Sequence, residues 1–171
     1  MKADEFADRL ARLGPQLDKL DNKTLRQSFE CRRRLSPLAE ADHQDELLVL
    51  LAKWDCSSVG VGMVAFLDSP KNSASGIQVG VVEADPLILL SDGEVTVEEY
   101  GFPGHLLWKA ASNGDKLLDA LIIAAEFFVK RVLKKIRFED LEAAKSAAHH
   151  CALAAGGNEY GEFYLMLLGA E

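Results

Sequence analysis

Apolar residues recur at helical spacing from the start of the chain. Phe6, Leu10 and Leu13 share one face of a helix predicted over Ala3 to Leu13, which Gly14-Pro15 stops. Leu17, Leu20 and Leu25 continue an apolar stripe into a second predicted helix, Thr24 to Arg34. Its closing Arg32, Arg33 and Arg34 would offset the negative end of a helix macrodipole, or form a basic docking patch. Ser36-Pro37 restarts the chain, and Asp42 is a candidate cap for a helix with its body at Glu46 to Trp54. Leu47, Leu48, Leu50, Leu51 and Trp54 give that helix a wide buried face.

The period then changes. Val59 to Leu67 is too apolar for simple alternation and predicts a strand buried on both faces. Gly60 and Gly62 within it suggest a bulge or the close approach of another element. Asp68 to Gly76 has loop composition, and Ile77 to Glu83 predicts the next strand, with Pro86 beyond it. Leu87 to Leu90 and Glu94 to Glu99 predict a hairpin across Ser91-Asp92-Gly93, Val95 and Val97 facing the core and Thr96 and Glu98 facing water. His105 to Ala110 predicts a last strand.

Ser112 to Asp115 has the spacing of a helix start, and the helix should run to about Arg137. Leu117, Leu118, Leu121, Ile122, Ala125, Phe128 and Val132 form its broad apolar face. Glu139 to Ala155 predicts another helix ending at Gly156-Gly157, and Asn158 to Leu168 a short closing one. The stretch from Ile77 to Phe128 should therefore hold most of the core. The pattern predicts an α+β fold in a single domain spanning 1–171: an antiparallel meander packed against several helices, with a helical part at 1–45, the sheet and core helix within 46–136, and closing helices at 137–171.

Composition narrows the function. The 171 residues carry a net charge of −8, which disfavours general affinity for nucleic acid or anionic membrane. No charge-free apolar run reaches membrane-spanning length, and the charged start has no signal-peptide core, so a cytoplasmic protein is expected. Cys31, Cys56 and Cys151 are odd in number and far apart in sequence, which fits reduced thiols better than a disulfide framework.

Candidate chemistry is sparse. His43 and His105 lack HExxH or CxxC companions, and adjacent His149 and His150 on a helix cannot easily converge on one ion, so neither metal nor cofactor is expected. No Ser or Cys sits in a nucleophile elbow, and the glycines at 60 and 62 fit no phosphate-loop spacing. One surface feature stands out. From Asn72 to Trp108 there is no Lys or Arg, while Glu83, Asp85, Asp92, Glu94, Glu98 and Glu99 are acidic. With Tyr100 as an aromatic anchor, these seven residues are the candidate protein-binding rim, suited to steering a cationic partner.

Three phrases, LLVLLAKWDCSSVGVGMVAFL, VEADPLILLSDGEVTVEEY and HLLWKAASNGDKLLDALIIAAEFF, together with the closing CALAAGGNEYGEFYLMLLG, resemble the SUKH superfamily over Glu46 to Gly169. The Asp92-Gly93 hairpin followed by an Asn-Gly-Asp helix start carries most of that resemblance. The proline-led N-terminal segment usual in the superfamily has no counterpart. The resemblance implies an α+β domain and a non-catalytic bacterial immunity protein that binds and neutralises a polymorphic toxin domain with a basic surface. The other readings are a cytoplasmic scaffold or regulatory interaction module, like the yeast regulator of cell-wall glucan synthesis in that superfamily, and a small enzyme.

Overall fold

The structure, a computed structural model, describes residues 1–20, 22–38 and 45–170. Among these, six α-helices are α1 (Ala3–Leu13), α2 (Lys23–Gln27), α3 (Glu46–Lys53), α4 (Gly114–Val132), α5 (Leu141–Ala155) and α6 (Gly161–Leu168). Strands β1 (Arg32–Arg33) and β2 (Trp54–Asp55) form a two-stranded ribbon. Strands β3 (Gly60–Val61), β4 (Val64–Asn72), β5 (Gly76–Val82), β6 (Asp85–Leu90), β7 (Val95–Glu98) and β8 (Leu106–Ala111) pair in chain order as an antiparallel meander. The fold is α+β, as the periodicities predict.

α4 is the spine. Leu117, Leu118, Leu121, Ile122 and Ala125 are fully buried, each large side chain contributing about 1.5–3 kcal/mol by leaving water. α5, α1, α3 and the sheet pack around it. Phe6 of α1 meets Phe66 of β4 edge-on at 6.2 Å, and the Tyr164 hydroxyl of α6 donates to the Ala110 carbonyl of β8 at 2.9 Å. Val64, Val82, Leu87, Leu89, Val95 and Val97 supply the sheet's side of this core.

Several expectations need correction. Only Lys23–Gln27 is helical in the second segment, and Arg32 and Arg33 belong to an exposed strand, so the arginine run closes no helix. Arg34 instead donates to the Asp68 carbonyl and carboxylate, fastening the ribbon to β4. The run Val59 to Leu67 is a tight β3–β4 hairpin rather than one strand. Gly62 turns it with φ +60°, and a Cβ there would lie 2.8 Å from the Phe128 ring. The expected loop Asp68 to Gly76 is largely strand, since β4 runs to Asn72. α4 stops at Val132, short of Arg137. Arg131 turns inward there: its guanidinium lies 4.6 Å from the Phe127 ring centre and donates to the carbonyls of Leu168 and Phe138.

The outer face of the sheet is not wet. Thr96 and Glu98 are 3% and 4% exposed, and Ile88, outside the main core, is fully buried. Bulges between Phe66 and Lys71 in β4 and between Gln78 and Gly80 in β5 curl this hairpin, because an extra residue on one strand bends it and increases its twist. Its tip lies over the sheet, where the Ser75 hydroxyl donates to Glu98 at 2.9 Å. Simple alternation cannot reveal a sheet that folds back on its own solvent face.

The starts of α1, α3 and α4 meet. Asp42 lies outside the described residues, and Asp45 caps α3, accepting from Leu47 N–H at 2.9 Å. Its other oxygen accepts from Gly114 N–H of α4 at 3.1 Å, and Asp115 of α4 returns the favour to Glu46 N–H at 3.1 Å. Asn113 caps α4 through Lys116 N–H. Glu46 in turn accepts from Ala3 N–H at 2.8 Å and pairs with Lys2 at 2.7 Å.

This junction has a pH signature. Burial pushes the Glu46 carboxyl up, but the Lys2 ammonium and Ala3 N–H together outweigh it and hold the group below its ordinary value. The Ser57 hydroxyl and N–H hold Asp55 down in the same way. A carboxyl with a lowered folded pKa stabilises the fold above its unfolded value and loses that contribution as pH falls through the folded one. The urea midpoint should therefore drop as pH falls below about 4.5, and Glu46→Gln should make that decline shallower. An identical pH profile in the variant would remove Glu46 from the account.

Candidate protein-binding face

The β5–β6 turn at Glu83 and the β7–β8 loop from Glu99 to His105 share one end of the sheet, because β6 and β7 pair with Leu87 opposite Val97. Glu83 sits exposed in the turn at φ +56°, its N–H donating to the Met63 carbonyl at 2.9 Å. Asp85 links turn and loop by accepting from Tyr100 N–H at 2.9 Å.

The loop is fastened from within. Buried Glu98 accepts from Gly104 N–H at 2.8 Å through the same oxygen that holds Ser75. Phe102 N–H donates to the Glu99 carbonyl and His105 N–H to the Phe102 carbonyl, giving two successive turns. Gly101 and Gly104 take φ of +82° and +85°, a region that favours glycine. The Glu99 carboxylate meets His105 Nδ1 at 2.5 Å. This framework projects Tyr100 (71% exposed) and Phe102 (63% exposed) outward beside Leu106. Large aromatics on a pinned backbone lose little conformational freedom on binding.

The seven candidate residues thus fall into three groups. Glu83, Asp85, Glu99 and Tyr100 converge at this end. Asp92 and Glu94 lie at the opposite end of β6, about 16 Å away at ~3.3 Å per residue. There Glu94 pairs with Lys109 at 2.9 Å and accepts from the Tyr160 hydroxyl at 3.4 Å. Burial first, and then the Glu94 charge, push the Tyr160 hydroxyl up, which keeps it a donor. Glu98 is interior, a brace for the loop and not a contact surface. The cation-free stretch ends one residue before Lys109, which folds back to compensate part of it.

Phe102 and Leu106 complete the face and were not among the candidates. The signal for Phe102 was an aromatic flanked by Gly101 and Pro103-Gly104, in a loop too short to have an inward side.

Other potential chemistry is scattered. His149 and His150 are exposed neighbours on α5, and His43 lies outside the described residues. Among the described residues no three His, Cys, Asp or Glu side chains gather as metal ligands, and no helix is long and apolar enough to cross a membrane. A cleft of about 690 Å³ opens between Asp45, Leu48, Ile77, Leu90, Asp92 and Asn113. Its Asp45 carboxylate is already committed to the amides that start α3 and α4. Compared with protein-family models, curated proteins and solved structures, the chain matches none.

Proposed function

We propose that this chain is a non-catalytic immunity protein of the SUKH type, which binds a polymorphic toxin domain in the cytoplasm and blocks it stoichiometrically. The observation that carries the reading is the pinned sheet end, where exposed Tyr100 and Phe102 stand among Glu83, Asp85 and Glu99. Aromatic anchors supply contact energy and the surrounding carboxylates select a basic partner and orient its approach. A toxin that acts on nucleic acid carries such a basic groove, and the net charge of −8 adds long-range attraction to it.

The test is a pull-down from the native strain to identify the toxin domain, followed by co-expression with it and binding kinetics on the purified pair. The expected outcome is restored growth and a one-to-one complex. Glu83→Lys combined with Glu99→Lys should slow association at least tenfold at low salt, with the difference shrinking as salt screens the charges. These two positions replace Glu98 as probes, because reversing Glu98 would break the loop it braces. Toxin activity that persists under excess protein would defeat the proposal. An unchanged association rate at low salt would remove the acidic face from it.

A further inference from the structure

Cys31 and Cys56 are 25 residues apart in the chain, yet the Cys56 thiol donates to Cys31 Sγ across 3.0 Å. Strand register explains the meeting. Arg32 stands opposite Asp55 and Arg33 opposite Trp54 in the antiparallel β1–β2 ribbon. One further step puts Cys31 opposite Cys56.

Arg34 N–H donates to the Lys53 carbonyl at 2.9 Å on the other side of this ladder. Alternation of bonded and non-bonded pairs then makes Cys31–Cys56 a non-bonded pair, with Cα atoms about 4.5 Å apart. Disulfides span about 4.4–6.8 Å between Cα atoms. The surroundings keep the two segments together: Gly60 N–H donates to the Ser28 carbonyl, the Ser58 hydroxyl donates to the Glu30 carbonyl, and Arg33 stacks over Trp54 at 5.7 Å. Cys31 is half-buried and Cys56 fully buried, so an oxidant reaches only the first.

We propose that Cys31 and Cys56 are a built-in redox pair, closing to a reversible disulfide by exchange with a small anionic disulfide of the glutathione type. The Cys31 thiolate attacks one sulfur of the oxidant, forming a mixed disulfide and expelling one thiolate. Cys56 gives up its proton and attacks Cys31 Sγ, forming the Cys31–Cys56 bond and expelling the second thiolate. The protein loses two electrons and two protons, and the oxidant becomes two thiols. Exposed Arg32 and Arg33, beside Cys31, attract an oxidant bearing carboxylates. The hydrogen bond to Cys31 and burial both push the Cys56 thiol up, which assigns it the second, resolving step. Fully buried Cys151 on α5 has no part in the pair.

The test exposes the full chain to oxidised glutathione, quenches by alkylation and maps peptides without reduction. The expected product is a peptide pair joined through Cys31 and Cys56, with intact mass lower by two hydrogens. The thermal midpoint should rise by roughly 7–14 °C, reversibly with dithiothreitol. Cys151→Ser should leave all of this unchanged. Cys56→Ser should stop at a glutathione adduct on Cys31, with no rise in midpoint. If that variant fails to fold, Cys31→Ser at the half-buried position should block the crosslink and leave Cys56 unmodified. Folded wild-type protein that keeps both thiols free, accumulates the adduct without closing, or crosslinks between chains through Cys31 would overturn the proposal.

Discussion

Gly114→Val is expected to lower the thermal midpoint by roughly 4–16 °C, an effect out of proportion to two methyl groups and a Cβ. A Cβ at this position would lie 2.0 Å from Asp45 Oδ1 and 2.6 Å from Leu47 Cβ. Asp45 cannot step aside without loss, because that oxygen caps α3 and its partner holds the first amide of α4. Leu47 cannot move either, being fully buried in the core. Overpacking at about 1–3 kcal/mol and a lost cap at about 1 kcal/mol together reach about 2–4 kcal/mol, and each kcal/mol shifts the midpoint of a chain this size by about 2–4 °C.

Gly161→Ala is the matched control. Position 161 is already right-handed helical, φ −62° and ψ −40°, with nothing within 4 Å of an added Cβ. Alanine there should stabilise by about 0.4–1 kcal/mol, through a less flexible unfolded chain. Differential scanning calorimetry of the two variants checks the pair. Equal, small shifts would mean that the α3–α4 junction is not the tight contact the geometry describes.

The second large effect concerns binding. Tyr100→Ala with Phe102→Ala is expected to weaken the proposed toxin complex on the order of 100- to 1000-fold, the loss of about 2.7–4.1 kcal/mol typical of two central anchors. The unfolding free energy from urea titration should stay within about 0.5 kcal/mol of wild type, because both rings are mostly in water already. Isothermal titration calorimetry reads the affinity, and cooperative urea unfolding at the wild-type midpoint separates the effect from misfolding. Full affinity in such a variant would place the interface elsewhere on the molecule. The charge variants and the aromatic variants also differ in kind: carboxylate reversal acts on the association rate, whereas ring deletion acts on the lifetime of the complex.

Oxidation of the cysteine pair would alter stability by a route that neither of these touches. Crosslinking residues 25 apart removes loop entropy from the unfolded chain worth about 3.5 kcal/mol. The crosslink joins the residues next to the β1–β2 ribbon, and neither cysteine belongs to the β7–β8 loop that carries Tyr100 and Phe102. Affinity for the proposed toxin partner should therefore be similar in the oxidised and reduced protein, and binding and redox behaviour can be tested separately.

Local pattern alone determined much of this molecule. The spacing of Phe6, Leu10 and Leu13 bounded α1 correctly, the leucines after Glu46 marked α3, and Asp92-Gly93 marked the β6–β7 turn, where Gly93 takes φ +94°. Each of these rests on interactions within a few residues: i to i+4 packing, a cap, or a glycine in a left-handed turn. The α+β class followed from the change of period alone. The tertiary structure decided what depends on residues far apart in the chain. Two strand bulges curled the β4–β5 hairpin over Thr96 and Glu98 and buried what alternation had assigned to water. Pairing across β6 separated one acidic run into two ends about 16 Å apart, and Lys109 and His105 folded back onto its charges. A two-residue ribbon brought Cys31 against Cys56. Charge and thiol content are properties of composition, but whether two such groups meet is set by register, and register is a property of the whole sheet.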